Sequence, residues 1–522
     1  MRNLRAWLTV VLVSLVAGNS LAAGKATRVV VIVWDGMRPD FVSEATTPTL
    51  FKLAREGVTF NNHHPVFVAS TEVNGVALAT GVYPEVSGVV GNHEFRPRIN
   101  AARSVNTEAL ATVRKGDELT GGRYLAVPTV AEILQGGGRR TVIAGTKPVA
   151  LLFDRATRTE TSLGVNLFEG KILPESLKGK ITVALGEFPR TELTKTNRDR
   201  WTTSALIGPL WESEVPALSV LWLGEPDYAQ HQTGPGSPVS LAAIRSSDDN
   251  LARVLAALEK RGLRETTDVI VVSDHAVSTV SDVANVATAL DKQGFRTHAE
   301  VPTAGLPAGD VLVVGNGGVV LFYVAGAKQS RVEQIVHALQ AQPFCGVVFT
   351  KKPVAGAFAL REVKMHSAAA PDILLALRWS ADKSTNGTAG SIYSDSAEYG
   401  PGRGAHGTSS PFDLHNVCIA AGPDFRRGYL SQLPSGNVDI APTILWVFGL
   451  KPKTKMSGRV LRETMLPVPA LPLTSQKRHL NISWRAENFT WQQYLNFSDV
   501  NGVRYLDEGN GHQSPVGSPA GK

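Results

Sequence analysis

Five short apolar runs constrain the fold of this 522-residue chain more than any other feature: VVVIVW at 29–34, SVLWL at 219–223, VIVVS at 269–273, VLVV at 311–314 and VCIAA at 417–421. They are rich in Val and Ile and lack polar alternation, as strands covered on both faces do. Helical patterns fall between them, at 49–56, 129–134, 240–260 and 332–341. Strands alternating with helices predict an α/β fold, a mostly parallel central sheet with right-handed crossovers. Functional groups in such sheets collect at the carboxyl ends of the strands. Asp35, residues 224–227 and Asp274 fall there.

The flanking segments divide the chain. Arg2 and Arg5 precede an apolar run at 6–18 and the small-residue stretch Ser20-Leu21-Ala22-Ala23. This pattern predicts a signal peptide over 1–22. The run is shorter than the roughly 20 residues of a membrane span, and no later run is long enough, so the mature chain is expected to be exported without a stable span. A bacterial periplasm is the first expectation; four Asn-x-Ser/Thr sequons at Asn386, Asn481, Asn488 and Asn496 leave a eukaryotic secreted protein open. Residues 28–279 and 401–452 read as one core, and 280–400, less regular and rich in Gly, Ser and Thr, as an inserted cap or lobe. Residues 465–522 read as a tail with a Pro-rich linker, a hairpin around Asp499-Val500-Asn501-Gly502 and a frayed end.

Composition excludes several classes. With 43% hydrophobic and 19% charged residues, the chain is neither disordered nor a coiled coil. The net charge of +7 is spread out, without five like charges in a row, so no nucleic-acid arm is evident and the basic excess favours anionic substrates. Two cysteines, Cys345 and Cys418, are too few for a disulfide scaffold; whether they pair is left open.

Asp35, Asp227, His231, Asp274, His275 and His406 are candidate metal ligands. Asp227 and His231 in GEPDYAQH lie four residues apart, on one face of a helical turn. Carboxylates and imidazoles are zinc donors. Each residue alone is more often a helix cap or a structural histidine than a ligand; their joint occurrence at strand ends carries the reading.

VVVIVWDG, TEVNGVALATGVYPEVSGVVGN, GEPDYAQH, SDH and AHG together resemble the alkaline phosphatase superfamily, and within it the type I phosphodiesterase/nucleotide pyrophosphatase branch, over about residues 28–450. The resemblance implies an alkaline-phosphatase-like central sheet between helical layers and a site with two Zn2+ ions. It assigns Asp227, His231 and His406 to one zinc, and Asp35, Asp274 and His275 to the other, with Thr71 as remaining ligand and nucleophile. Thr71 precedes the Thr80-Gly81 pair by nine residues, and Asn92, which it implies as a donor to a phosphoryl oxygen, follows 21 residues later. The implied course is a covalent phosphothreonine, then its hydrolysis. A bound metal favours such an alkoxide, and a helix-like segment at 73–79 would favour a phosphate. Ser70 and Asn74 are read as cap or packing residues.

Two residues bear on the substrate. Nucleotide-cleaving members usually carry an aromatic residue after the nucleophile; here it is Glu72, which cannot stack and would repel a second phosphate. It is expected either to accept hydrogen bonds from a sugar, amine or polyol or to be a solvated helix residue. Lys147, after another strand, stands near where monoester- or phosphonate-cleaving members bind the extra phosphoryl charge; the competing reading is an exposed loop lysine. Arg155 and Arg403 are weaker candidates. No Cys/Ser-x-Pro-x-Arg motif of sulfatases and no Walker-type loop occurs. His63 and His64 precede Pro65 and are read as structural. The first expectation is phosphodiester or pyrophosphate hydrolysis of a small phosphoryl substrate. Phosphomonoester or phosphonate hydrolysis and a catalytically silent, metal-stabilised surface binding protein are the alternatives.

Overall fold

The computed structural model describes residues 24–515 apart from 157, 158, 160, 191, 397, 398 and 470–472, so the 1–22 signal-peptide reading lies outside the described residues. Its largest sheet has nine strands. Five neighbouring strands pair in parallel, in the order Thr267–Val272, Arg28–Trp34, Leu218–Leu223, Thr141–Gly145 and Gly164–Phe168. Cys418–Ala421 joins antiparallel beside Thr267–Val272. The sheet is a mixed one with a parallel centre, as the apolar runs predict.

Its two faces explain those runs. Val29, Val31 and Val33 enter one hydrophobic cluster, while Val30, Ile32 and Trp34 enter a second on the other side. A strand buried on both faces has no polar alternation to display. The helix Thr71–Thr80 packs through Val73 and Val76 into the first cluster; Pro238–Lys260 packs through Ile244, Leu251, Val254 and Leu258 into the second. The Ser237 hydroxyl accepts from the Ser240 N–H to cap the latter, and Thr129 with Glu132 forms a capping box on Val130–Gly136.

The 311–314 run belongs elsewhere. Val311–Gly315 lies in a six-stranded sheet with Thr297–His298, Val319–Val324, Ile373–Leu377, Cys345–Thr350 and Phe358–Ala359, covered by the helix Gln329–Gln340. An apolar run reveals burial but not which sheet provides it. Residues 475–515 build a three-stranded antiparallel sheet of Ser475–Arg485, Phe489–Val500 and Val503–Pro515, one strand more than a hairpin. Asn501 (φ 49°) and Gly502 (φ 82°) make its tight turn, in the left-handed conformation such two-residue turns need. Gln493 joins this sheet to the six-stranded one, accepting from the Val348 N–H at 2.9 Å and donating to its carbonyl at 3.0 Å. Cys345 and Cys418 are both buried and unbonded, in different sheets. Among the described residues no helix is long and apolar enough to cross a membrane.

Candidate active site

The parallel strands end at one edge of the sheet, and the acid and imidazole groups follow from that. Asp35 leaves Arg28–Trp34, Asp274 and His275 leave Thr267–Val272, and Asp227 opens the helix Asp227–Thr233 just after Leu218–Leu223. Gly36, with φ 72°, allows the close approach: a Cβ there would lie 2.9 Å from the Asp227 Cα. His406 arrives from the short strand Gly404–Ala405.

Asp227, His231 and His406 bring ligand atoms within 4.8 Å of one another, and so do Asp35, Asp227 and His275. Asp227 thus faces both groups. Asp227 Oδ1 lies 3.2 Å from His231 Nε2 and 3.7 Å from His406 Nε2. His275 Nε2 is 3.6 Å from Asp35 Oδ1 and 3.2 Å from Asp274 Oδ2. Thr71, the first residue of its helix, places Oγ1 3.2 Å from His275 Nε2. All six candidate ligands and Thr71 are buried.

The donor chemistry fits divalent cations. Each Nδ1 faces a carbonyl that can only accept: Gly404 for His231 at 2.7 Å, Ala276 for His275 at 3.1 Å and Ala69 for His406 at 2.8 Å. The proton of each neutral ring is therefore on Nδ1, and the Nε2 lone pair turns towards carboxylate oxygens. Asp35 Oδ1, Asp227 Oδ1 and Asp274 Oδ2 are buried without a hydrogen-bond partner. Burial lowers the His275 pKa to about 3, while burial and then Asp35 raise that of Asp274. Imidazoles and carboxylates crowded this closely, with carboxylate oxygens lacking a hydrogen-bond partner, suit a site that surrounds positive charge.

Lys147 supplies part of that charge. Its Nζ lies 2.8 Å from Asp35 Oδ2, 3.2 Å from Asp227 Oδ2 and 3.3 Å from Thr71 Oγ1. Burial opposes its charge, but Asp35 and Asp227 outweigh it and keep the ammonium protonated. This is no exposed loop lysine. Gly75 lets the Thr71 helix approach the Pro148–Phe153 turn that follows Lys147; a Cβ there would meet Val149 Cγ2 at 2.5 Å.

Thr71, Glu72, Asn92, Lys147, Asp227, His231 and His406 all line one cavity of about 710 Å³. Asn92 Oδ1 accepts from the Glu72 N–H at 3.2 Å, leaving its NH2 end to donate. Glu72 is buried, not a solvated helix residue.

A model of the family described as type I phosphodiesterase / nucleotide pyrophosphatase matches residues 29–398. The chain belongs to the type I phosphodiesterase/nucleotide pyrophosphatase family. It is 24% identical over 479 residues to human ectonucleotide pyrophosphatase/phosphodiesterase family member 7, covering 90% of each chain. To mouse bis(5'-adenosyl)-triphosphatase enpp4 it is 21% identical, over 83% of this chain and 80% of that one. The fold is similar to murine ectonucleotide pyrophosphatase/phosphodiesterase 5, with a TM-score of 0.60 and 18% identity, covering 84% of this chain and all of the other. It is also similar to an inactive variant of that murine protein in complex with AMP, with a TM-score of 0.59. The chain is accordingly a phosphoric ester hydrolase, in a family that cleaves phosphodiester and pyrophosphate bonds.

Some neighbours in this phosphodiesterase-family site carry no sequence signal. Trp222 Nε1 donates to Asp35 Oδ2 at 2.8 Å, yet in the sequence it is one more apolar strand residue. Glu108 and Lys195 also line the cavity, and the Tyr399 ring stacks on His231 at 4.3 Å. Other candidates lie apart. Arg155 pairs with Asp117 and Glu132, and Arg403 is not among the cavity-lining residues. His63 hydrogen-bonds Ser435 and Asn437 in the interior. Ser70 is the N-cap residue by position, without a side-chain cap bond, and Asn74 ties the preceding loop through the Val66, Val68 and Ser70 carbonyls.

Proposed function

We propose that the chain hydrolyses a phosphodiester or pyrophosphate bond of a small substrate through a covalent phosphothreonine on Thr71 at a two-zinc centre. One observation carries this reading: Thr71 lines the cavity with Asp227, His231 and His406, and its Oγ1 sits 3.2 Å from the Nε2 of His275, which in turn adjoins Asp35 and Asp274. Asp227, His231 and His406 would hold one zinc, and Asp35, Asp274, His275 and Thr71 the other. When bound, the two cations supply Lewis-acid charge for the attacking and leaving oxygens of an in-line displacement. Thr71 Oγ1 releases its proton to solvent and bonds to phosphorus as the bond to the leaving oxygen breaks, that oxygen taking up a proton. Water then attacks the same phosphorus and gives up a proton as the phosphorus–Oγ1 bond breaks, so Thr71 regains its hydroxyl and a phosphoryl product leaves. The Asn92 NH2 donates to a phosphoryl oxygen where negative charge develops.

Lys147 supports phosphomonoester or phosphonate cleavage as a second reading, because its ammonium 3.3 Å from Thr71 Oγ1 would favour a dianion. Glu72 and Glu108 bear on the rest of the substrate. Each has an Oε2 buried without a partner; burial and then Glu108 raise the Glu72 pKa, and burial raises that of Glu108 to about 7. They favour a group that donates hydrogen bonds, such as a sugar, amine or polyol. Residues 1–22 would be removed on export, to the periplasm or outside, and 280–400 would form an inserted lobe over the core. Turnover of bis-p-nitrophenyl phosphate against p-nitrophenyl phosphate tests the reaction: a diester preference abolished by chelator is expected. A monoester preference would support the second reading, and zinc binding with no turnover of any phosphoryl compound would refute both.

A further inference from the structure

His64, His415 and Asp507 also bring ligand atoms within 4.8 Å of one another. They come from distant stretches: the short strand His63–His64, the residue after the helix Pro411–Leu414, and the strand Val503–Pro515 of the C-terminal sheet. His64 Nε2 lies 3.1 Å from Asp507 Oδ1 and 3.1 Å from His415 Nε2. His64 Nδ1 faces the Ser435 carbonyl at 3.1 Å, so it carries the proton of the neutral ring. The His415 backbone N–H donates to the Pro411 carbonyl at 3.1 Å, which fixes the residue at the end of its helix. Two imidazole Nε2 atoms and a carboxylate oxygen thus converge on one point, where either a shared proton or a metal cation would balance the carboxylate charge.

We propose that this triad binds one further Zn2+ ion, on His64 Nε2, His415 Nε2 and Asp507 Oδ1. Two imidazoles and a carboxylate are a zinc donor set, and three protein ligands leave a fourth position of the tetrahedron. A cavity of about 420 Å³ lined by His415, Lys477, Asn496 and Asp507 opens beside it. The groups behind the ligands hold them for that role. Ser498 Oγ lies 2.9 and 2.8 Å from the two Asp507 oxygens, and Lys477 Nζ sits 3.1 Å from Oδ2, leaving Oδ1 to face the histidines. Such an ion would tie the C-terminal sheet to the core, and binding only the folded chain would stabilise it. The site stands apart from the phosphoryl-transfer reading.

Full-length protein equilibrated with Zn2+ and desalted is expected to retain one more equivalent of zinc by mass spectrometry than His415→Ala, with equal bis-p-nitrophenyl phosphate turnover. Asp507→Asn is expected to lose the same equivalent. Equal zinc content in wild type and both variants would overturn the proposal, leaving the triad a protonated ion pair. Failure of the catalytic two-zinc reading would lower the total in all three proteins but preserve the difference of one. A wild-type crystal soaked in Zn2+ needs no variant: an anomalous peak among the three ligand atoms supports the site, and its absence overturns it.

Discussion

The Lys147 ammonium stands 3.3 Å from the Thr71 hydroxyl while also contacting Asp35 and Asp227. One cation therefore borders both the proposed nucleophile and two proposed metal ligands. Its removal has two separable effects, one on substrate charge and one on the carboxylates.

For Lys147→Ala, monoester turnover is expected to fall about tenfold or more beyond any loss in diester turnover, since a charge-assisted contact to a dianion is worth roughly 1.5–3 kcal/mol. The measurement is kcat/KM for p-nitrophenyl phosphate and bis-p-nitrophenyl phosphate at saturating zinc. Equal losses would assign the lysine to holding the carboxylates.

Thr71→Ala is expected to lower kcat by at least about 10³-fold, the scale of removing a nucleophile. Bound zinc should change little, because six other side chains remain as ligands. Turnover with zinc content measured on the same sample checks this, and near-wild-type activity would exclude the assigned nucleophile.

Trp222→Phe removes the indole donor to Asp35 Oδ2 while keeping an aromatic ring, smaller in volume, in the buried face it fills. Loss of such a group behind a metal ligand is expected to weaken zinc affinity about 10- to 100-fold. Chelator competition reads the affinity, and kcat at saturating zinc should largely recover. Unchanged affinity would show that Asp35 is held without it.

His63 gives a pH prediction. Burial lowers its pKa to about 3 against an ordinary 6.5, so the folded chain keeps the ring neutral where the unfolded chain protonates it. Its contribution to stability is full above pH 6.5 and declines as pH falls from there towards 3, by up to about 1.4 kcal/mol per pH unit. Denaturant titrations of wild type and His63→Gln between pH 7 and 5 should show the flatter dependence in the variant; parallel curves would contradict it.

Much of the fold was legible because local burial writes itself into composition. Val29 to Trp34 could be read as a two-faced strand from six residues, since both sides of the central sheet are covered. The run at 311–314 reads the same way and yet belongs to another sheet, because apolarity reports burial without naming the neighbour. Motif spacing singled out Asp35, Asp227, His231, Asp274, His275 and His406, and the folded chain brings them together. In the sequence His64 reads as structural, beside His63. Only the arrival of Asp507, 443 residues further along, sets it against His415.

The amino-acid order alone marked the apolar strands at the centre of the main sheet, where the metal-type residues fall relative to strand ends, and the family to which they correspond. These are short-range matters of side-chain shape, polarity and spacing. Tertiary structure decided that Lys147 reaches Thr71, that Trp222 buttresses Asp35, that Glu72 turns inward and that a C-terminal aspartate meets two distant histidines. Those relationships depend on how layers pack across hundreds of residues, a through-space geometry that has no signature in any local stretch of chain.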